Sequence, residues 1–288
     1  MTEFVPLQEL HLDFRIAEEK DIERDWFVLH MRDIVAYEQK GCFALLENDQ
    51  PVGMITTTRY GKAGWLGWLY VKESERQRGL GEKLMLLGIE YLESCGCSSV
   101  LLEAVFKAAP LYARLGFERQ FITHHYRLER EAFKPVSSEG ITISPFTQSD
   151  LESVALFDSR YSHVDRQALF GVVLGNPTFA GWVARKDRRV VGFMGRTLTQ
   201  KNQQIGPLVV DPTIEPQGAV ASALASAAFE VDHRLLYIRC PEVDPDRATD
   251  LTQIGCEQRE VATVRMVRGE RPTAEFRGVL CLGCPGKG

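Results

Sequence analysis

The run Arg76-Gln77-Arg78-Gly79-Leu80-Gly81 carries the residue types and spacing best suited to hold an anion. The apolar stretch Leu69-Tyr70-Val71 precedes it, and Leu80, Leu84, Leu87 and Tyr91 follow at helical spacing. A strand is therefore expected to feed a glycine-bearing turn and then a helix N-terminus. Free backbone N–H groups point outward at such a junction, and the helix dipole favours negative charge there. Gly79 and Gly81 remove side chains that would hold a ligand off the backbone, and they can adopt φ > 0 where the turn needs it. Arg76 and Arg78 add charge-assisted donors. The chemistry is that of a pyrophosphate site, without saying whose pyrophosphate.

Two well-known phosphate loops are excluded. A Walker loop needs Gly-x-x-x-x-Gly-Lys-Ser/Thr, whereas Lys83 stands two residues after Gly81 and is followed by Leu84. A dinucleotide loop needs Gly-x-Gly-x-x-Gly, and Leu84 occupies the third glycine position.

The elements around this loop read as mixed α/β. Phe14-Arg15-Ile16 is expected as a short strand, and Lys20-Asp21-Ile22 opens a helical stretch through Trp26, Phe27 and Met31. Cys42 to Leu46 and Pro51 to Thr58 read as strands about the turn Asn48-Asp49-Gln50. Trp65 to Val71 is the strand entering the loop, and Gly96 closes the helix that leaves it. Ser99 to Glu103 is a strand and Pro110 to Leu115 a short helix stopped by Gly116, before a last strand Phe121 to Leu128. Trp65, Trp68, Phe106 and Phe117 could line a substrate channel or pack in the core, and aromatic residues on strands more often do the latter, so no role is assigned to them.

The same plan occurs twice. Sliding the chain by 139 residues places Gly53 on Gly192, Gly67 on Gly206, Gly79 on Gly218 and Gly116 on Gly255. The expected division is residues 1–130, a linker at 131–140 marked by Pro135, Ser137, Ser138 and Gly140, and a second domain over 141–288. The functional positions do not survive the shift. Arg76 falls on Glu215, Gly81 on Val220 and Tyr112 on Leu251. The second copy is expected to keep the fold without the loop.

Composition narrows the partners. The chain has 288 residues, 44% hydrophobic and 25% charged, with a net charge of -5. That balance argues against nucleic acid or an acidic membrane as partner. No stretch approaches the roughly 18 apolar residues of a membrane helix, and the acidic start lacks the order of a signal peptide, so a cytoplasmic location is expected. Seven cysteines make no disulfide framework, and neither Cys95/Cys97 nor Cys281/Cys284 has a second pair at zinc spacing, so no metal is expected.

The loop resembles the Arg/Gln-x-x-Gly-x-Gly/Ala signature of the GNAT superfamily of N-acetyltransferases. Downstream, Leu101-Leu102-Glu103-Ala104 leads into Pro110-Leu111-Tyr112-Ala113-Arg114-Leu115-Gly116-Phe117, which is similar to the family's strand and short helix with Tyr-x-x-x-Gly-Phe. The resemblance implies two tandem GNAT domains, an intact one and a degenerate one, each a mixed, splayed sheet flanked by helices. It implies acetyl-CoA as co-substrate, its pantetheine beside Leu69, Tyr70 and Val71 and its pyrophosphate on the amides of residues 76 to 81. It further implies direct acetyl transfer to a primary amine of a small molecule or peptide. Tyr112 then becomes the candidate general acid and Glu103 the candidate base, with His124 and His125 as further candidates. Val105 departs from the family, many members having asparagine there. For the second domain, shaping the acceptor pocket and forming a homodimer are both open. The contrasting reading is a non-catalytic acyl-CoA-binding or interaction module.

Overall fold

The structure is a computed structural model describing residues 2–18, 23–216, 218–243, 245–271 and 276–283. It divides into two compact units, one reaching Gln120 and including Arg265–Arg271, the other beginning at Phe121.

Unit 1 contains β1 (Thr2–Pro6), α1 (Asp13–Glu18), α2 (Arg24–Tyr37), β2 (Phe43–Glu47), β3 (Gln50–Tyr60), β4 (Ala63–Val71), α3 (Leu80–Ser94), β5 (Ser99–Val105) and α4 (Ala109–Arg114). The strands lie in the order β1-β2-β3-β4-β5, antiparallel except for β4 and β5. Asn48 and Asp49 are both left-handed, which lets a tight hairpin join β2 to β3 without splaying them. On one face, α2 presents Phe27, Met31 and Ile34, spaced i, i+4, i+7, to Ala44 and Met54. On the other, α3 approaches so closely that a Cβ on Gly53 would lie 2.9 Å from Leu84 Cδ1.

Phe14-Arg15-Ile16, expected as a strand, is part of helix α1, and the first strand is β1. A three-residue alternation does not separate the two periods. Phe14 instead packs its ring 5.9 Å from that of Tyr70. The expected helix start at Lys20-Asp21-Ile22 lies outside the described residues.

Unit 2 repeats the plan with β6 (Glu118–Leu128) from Phe121 on, β7 (Ile141–Pro145), α5 (Leu151–Ser162), α6 (Gln167–Val173), β8 (Phe179–Lys186), β9 (Arg189–Leu198), β10 (Gln203–Val210), α7 (Ala219–Val231), β11 (Leu236–Pro241), α8 (Pro245–Gln253), β12 (Glu257–Gly269) as far as Val264, and β13 (Val279–Cys281). The 139-residue shift carries the starts of β1, β3 and α3 onto those of β7, β9 and α7. The shared glycines answer the same demands in both copies. Gly79 and Gly218 each stand left-handed before a helix, at φ 74° and 81°. A Cβ on Gly192 would meet Val220 Cγ1 at 2.3 Å, as one on Gly53 would meet Leu84.

The units do not part at the expected linker. Residues 131–140 lie inside unit 2, because β6 pairs with β11 from Thr123↔Pro241 to Leu128↔Leu236. Conversely the end of β12 runs beside β5 in unit 1, where Glu270 N donates to Ser98 O at 2.9 Å and Arg268 pairs with Glu93 at 3.2 Å. The two copies have exchanged their last strands. Sequence periodicity marks a strand but not its neighbour, so this exchange was invisible to it.

His125 sits on β6 with Nδ1 2.7 Å from Tyr237 Oη and Nε2 3.3 Å from Thr263 Oγ1. Burial, reinforced by the charges of Arg239 and His124, pushes its pKa down to about 4. The unfolded chain therefore takes up this proton first as pH falls below the ordinary value of 6.5, and stability drains away down to about 4. Between pH 7 and pH 5 the loss from this group is about 2 kcal/mol. Denaturant titrations at both pH values should show that part of the acid sensitivity absent in His125→Gln; equal sensitivity in the two proteins would refute the assignment.

Among the described residues no helix is long and apolar enough to cross a membrane. Nor, among them, do three His, Cys, Asp or Glu side chains gather to hold a metal. Cys281 is fully buried, and Cys284 lies outside the described residues.

Candidate active site

The site begins where two parallel strands stop touching. The β4–β5 ladder runs from Ala63↔Ser99 to Leu66↔Leu102 and ends there. Gly67 to Val71 on β4 and Glu103 to Val105 on β5 lie beyond it. Backbone groups released from a ladder require other partners, so the gap offers an edge to an extended ligand.

β4 also carries a bulge. Its pairing with β3 jumps from Met54↔Tyr70 to Thr56↔Gly67, so that Trp68 and Leu69 together oppose Ile55. Trp68 takes φ 49° there. A bulky side chain in the left-handed region costs about 1–3 kcal/mol, which the surrounding structure has to offset.

The loop after β4 turns through two left-handed residues separated by Arg78, Gln77 at φ 64° and Gly79 at φ 74°. Successive N–H groups in a turn of this kind can form a concavity that suits an anion. Leu80 is buried and pins the first turn of α3. The glycines differ in what they do. A Cβ on Gly79 would meet nothing within 4 Å, so its backbone conformation, and not space, requires glycine. Gly81 is not left-handed, and its Cβ would lie an ordinary 3.8 Å from Val71 Cγ2. Nothing within the protein demands a glycine at 81, which fits a surface kept bare for a ligand.

The two arginines also part company. Arg76 Nε donates to Val71 O at 3.1 Å, and its guanidinium lies 5.5 Å from the Tyr70 ring. Arg78 is committed to carboxylates, binding Glu47 through two bonds of 2.8 and 3.0 Å and pairing with Glu75. Its side chain braces the loop, leaving its backbone to face an anion. Tyr70 Oη donates to Glu18 at 2.5 Å, and that bond, with one from Glu73 N and the nearby cations Lys72 and Arg76, holds the Glu18 carboxyl below its usual range despite an opposing desolvation contribution.

Glu103 is the first residue of β5 past the last rung. Alternation along β5 puts it on the face of Leu101, whose rung partner is Trp65. Tyr112 lies on α4, which starts with Pro110 in its first turn. Its ring meets Phe117 edge-on at 6.3 Å, burial raises its pKa, and its hydroxyl makes no hydrogen bond among the described residues. A phenol so placed stays protonated at neutral pH and keeps its proton available. His124 and His125 belong to unit 2 instead. Both ring nitrogens of His125 are engaged there, and His124 Nδ1 accepts from Gln258 at 3.1 Å.

In the second copy the corresponding gap is closed by the chain itself. The β10–β11 ladder stops after Gln203↔Leu236 and Gln204↔Tyr237, and β13 enters beside β10 at Leu208↔Cys281 and Val209↔Val279. Leu208 and Val209 are the counterparts of Leu69 and Tyr70. Val210 N donates to Gly278 O at 2.8 Å. Two buried arginines hold the segment down: Arg166, paired with Asp158, donates to Leu282 O at 2.8 Å, and Arg239 donates to Gly283 O at 3.1 Å. Val220 and Leu251, which replace Gly81 and Tyr112, are core residues. Chain now occupies the place an extended ligand would take.

A parallel pair that splays beside a glycine-bearing turn and a helix N-terminus suits an extended, anionic ligand. Residues 6–117 match the Acetyltransferase (GNAT) family, and residues 154–280 match an Acetyltransferase (GNAT) domain. The chain therefore belongs to the GNAT acetyltransferases and carries two such domains in tandem. Its fold is similar to that of a protein from Pyrococcus horikoshii assigned to the acetyltransferases, at 20% identity and a TM-score of 0.83 over 100% of this chain and 96% of that one. A tandem GNAT protein from the clavulanic acid biosynthesis pathway matches at 14% identity and TM-score 0.65, covering 95% of this chain and 100% of its own. A GCN5-related N-acetyltransferase from Sphaerobacter thermophilus matches at 13% and 0.64, covering 94% and 96%.

Proposed function

We propose that unit 1 transfers an acetyl group directly from acetyl-CoA to a primary amine. The observation that carries this reading is the contrast between the two gaps. The one beside the glycine loop stands open past Leu66↔Leu102, and the one without the loop is filled by β13.

The residues present suit the co-substrate. Leu69, Tyr70 and Val71 would pair with the amides of pantetheine, and the amides of residues 76 to 81 would take the pyrophosphate, with Gly81 allowing close approach. Bound there, acetyl-CoA supplies a thioester whose C–S bond is exchanged for the C–N bond of an amide. The amine gives up one proton and the CoA sulfur gains one. Tyr112 is assigned the second transfer. On reference pKa values of ~10 for a phenol and ~8.5 for a thiol, that step is uphill by about 2 kcal/mol. Burial raises the Tyr112 pKa and by itself widens that gap, while desolvation of the departing thiolate at the same place works in the opposite direction. Glu103 is assigned to the amine, receiving its proton directly or through water.

The test is a screen of amines for CoA thiol release, with Gly81→Asp as control. This variant should fold, since a Cβ at 81 would lie an ordinary 3.8 Å from Val71 Cγ2 and the backbone there is not left-handed, yet it sets a carboxylate where the pyrophosphate would lie. Thiol release should occur with some amines and vanish in Gly81→Asp. Binding of acetyl-CoA without turnover across the panel would return the chain to the non-catalytic module.

A further inference from the structure

The sequence placed Trp26 on a helix and left Trp68 between core and substrate channel; both indole nitrogens are buried without a hydrogen-bond partner among the described residues. The two rings lie 6.1 Å apart. Trp26 stacks on His30 at 5.2 Å, and His30 meets Trp68 edge-on at 5.4 Å, so all three belong to one cluster. An indole N–H can only donate, and a buried donor left unpaired lowers stability. Two such donors in one cluster are a cost the fold bears twice.

Their location gives the cost a purpose. Trp68 is the strained residue of the β4 bulge, at the mouth of the open gap. Thr56, across the ladder from Gly67, is fully buried with its hydroxyl also unpartnered among the described residues. These groups lie on the α2 side of the sheet, opposite the face packed by α3. Glu103 shares that α2-side face by alternation. The second copy, whose gap is closed, retains none of them. Trp26, Thr56 and Trp68 correspond to Asp165, Gly195 and Pro207.

We infer that Trp26 and Trp68 donate to a carbonyl or carboxylate oxygen of the acceptor, so that the substrate is an amine bearing such an oxygen near its nitrogen, as in an amino acid or a peptide N-terminus. This rests on the transferase reading above. A carbonyl or carboxylate oxygen accepts two donors without bringing a hydrogen that must itself be placed. A polyamine brings donors only and would leave both indoles unpaired.

The experiment compares kcat/KM for amino acids, for their amides and for the matching decarboxylated amines, with phenylalanine, phenylalaninamide and phenethylamine as one such set and spermidine alongside. The carbonyl-bearing compounds should exceed the others by about 30-fold, the effect of two hydrogen bonds. Trp26→Phe and Trp68→Phe keep a ring and remove the donor. Each should raise KM for the carbonyl-bearing amine about 5-fold, with little change in kcat, in KM for phenethylamine or in acetyl-CoA affinity. Should Trp68→Phe disturb the bulge and lose acetyl-CoA, Trp26→Phe and the wild-type comparison still decide. Equal use of phenethylamine, spermidine and the carbonyl compounds would overturn this inference and leave the transferase reading intact. Thiol release with no amine at all would overturn both.

Discussion

Tyr112→Phe is expected to lower turnover by about 10²–10⁴-fold, the range for loss of a positioned general acid. Acetyl-CoA affinity should stay within about threefold, because the hydroxyl makes no bond that shapes the site. The ring packs edge-on against Phe117, and phenylalanine preserves that contact, so the fold should be unaffected. Burial raises the Tyr112 pKa, so the wild-type rate should show no loss from this group until alkaline pH, beyond the ordinary phenol value of 10.0. Single-turnover measurements of thiol release separate the chemical step from product release. A rate unchanged in Tyr112→Phe would remove the phenol from the mechanism and leave protonation to water.

A larger effect is expected from cutting the chain in the segment first read as a linker. Residues 1–135 contain every residue assigned to the acyl-CoA site, yet not the strand that completes unit 1, which arrives as Arg265–Arg271. The fragment would also carry β6 without β11, its pairing partner in the full chain. Two unpaired strand edges invite aggregation. Expressed alone, the fragment should be insoluble or lack a cooperative unfolding transition, with acetyl-CoA affinity lost. Co-expression with residues 136–288 supplies both missing strands and should rescue solubility. A fragment that melts sharply and binds acetyl-CoA like the full chain would show the exchange to be dispensable.

Much of this was legible in the sequence because local geometry constrains residue type. Gly79 and Gly218 betray left-handed turns before helices, and Gly53 and Gly192 betray close helix approach, so a shift of 139 residues reveals two copies of one plan. The loop was legible for the same reason. What was hidden depends on partners distant in the chain. Neither the exchange of β6 and β12 nor the seating of β13 beside Leu208 and Val209 leaves a periodic trace. Arg78 looked like an anion ligand until Glu47, 31 residues earlier, proved to hold it. Trp68 looked like core because aromatic residues on strands usually are, and only its φ and its unpaired indole set it apart.

The proposed function implies one acyl-CoA site per chain, formed by unit 1. Calorimetric titration of the full-length protein with acetyl-CoA tests it most directly. One equivalent should bind per chain, and none in Gly81→Asp, a substitution that leaves unit 2 untouched. Two equivalents per chain, or one equivalent that survives Gly81→Asp, would contradict it.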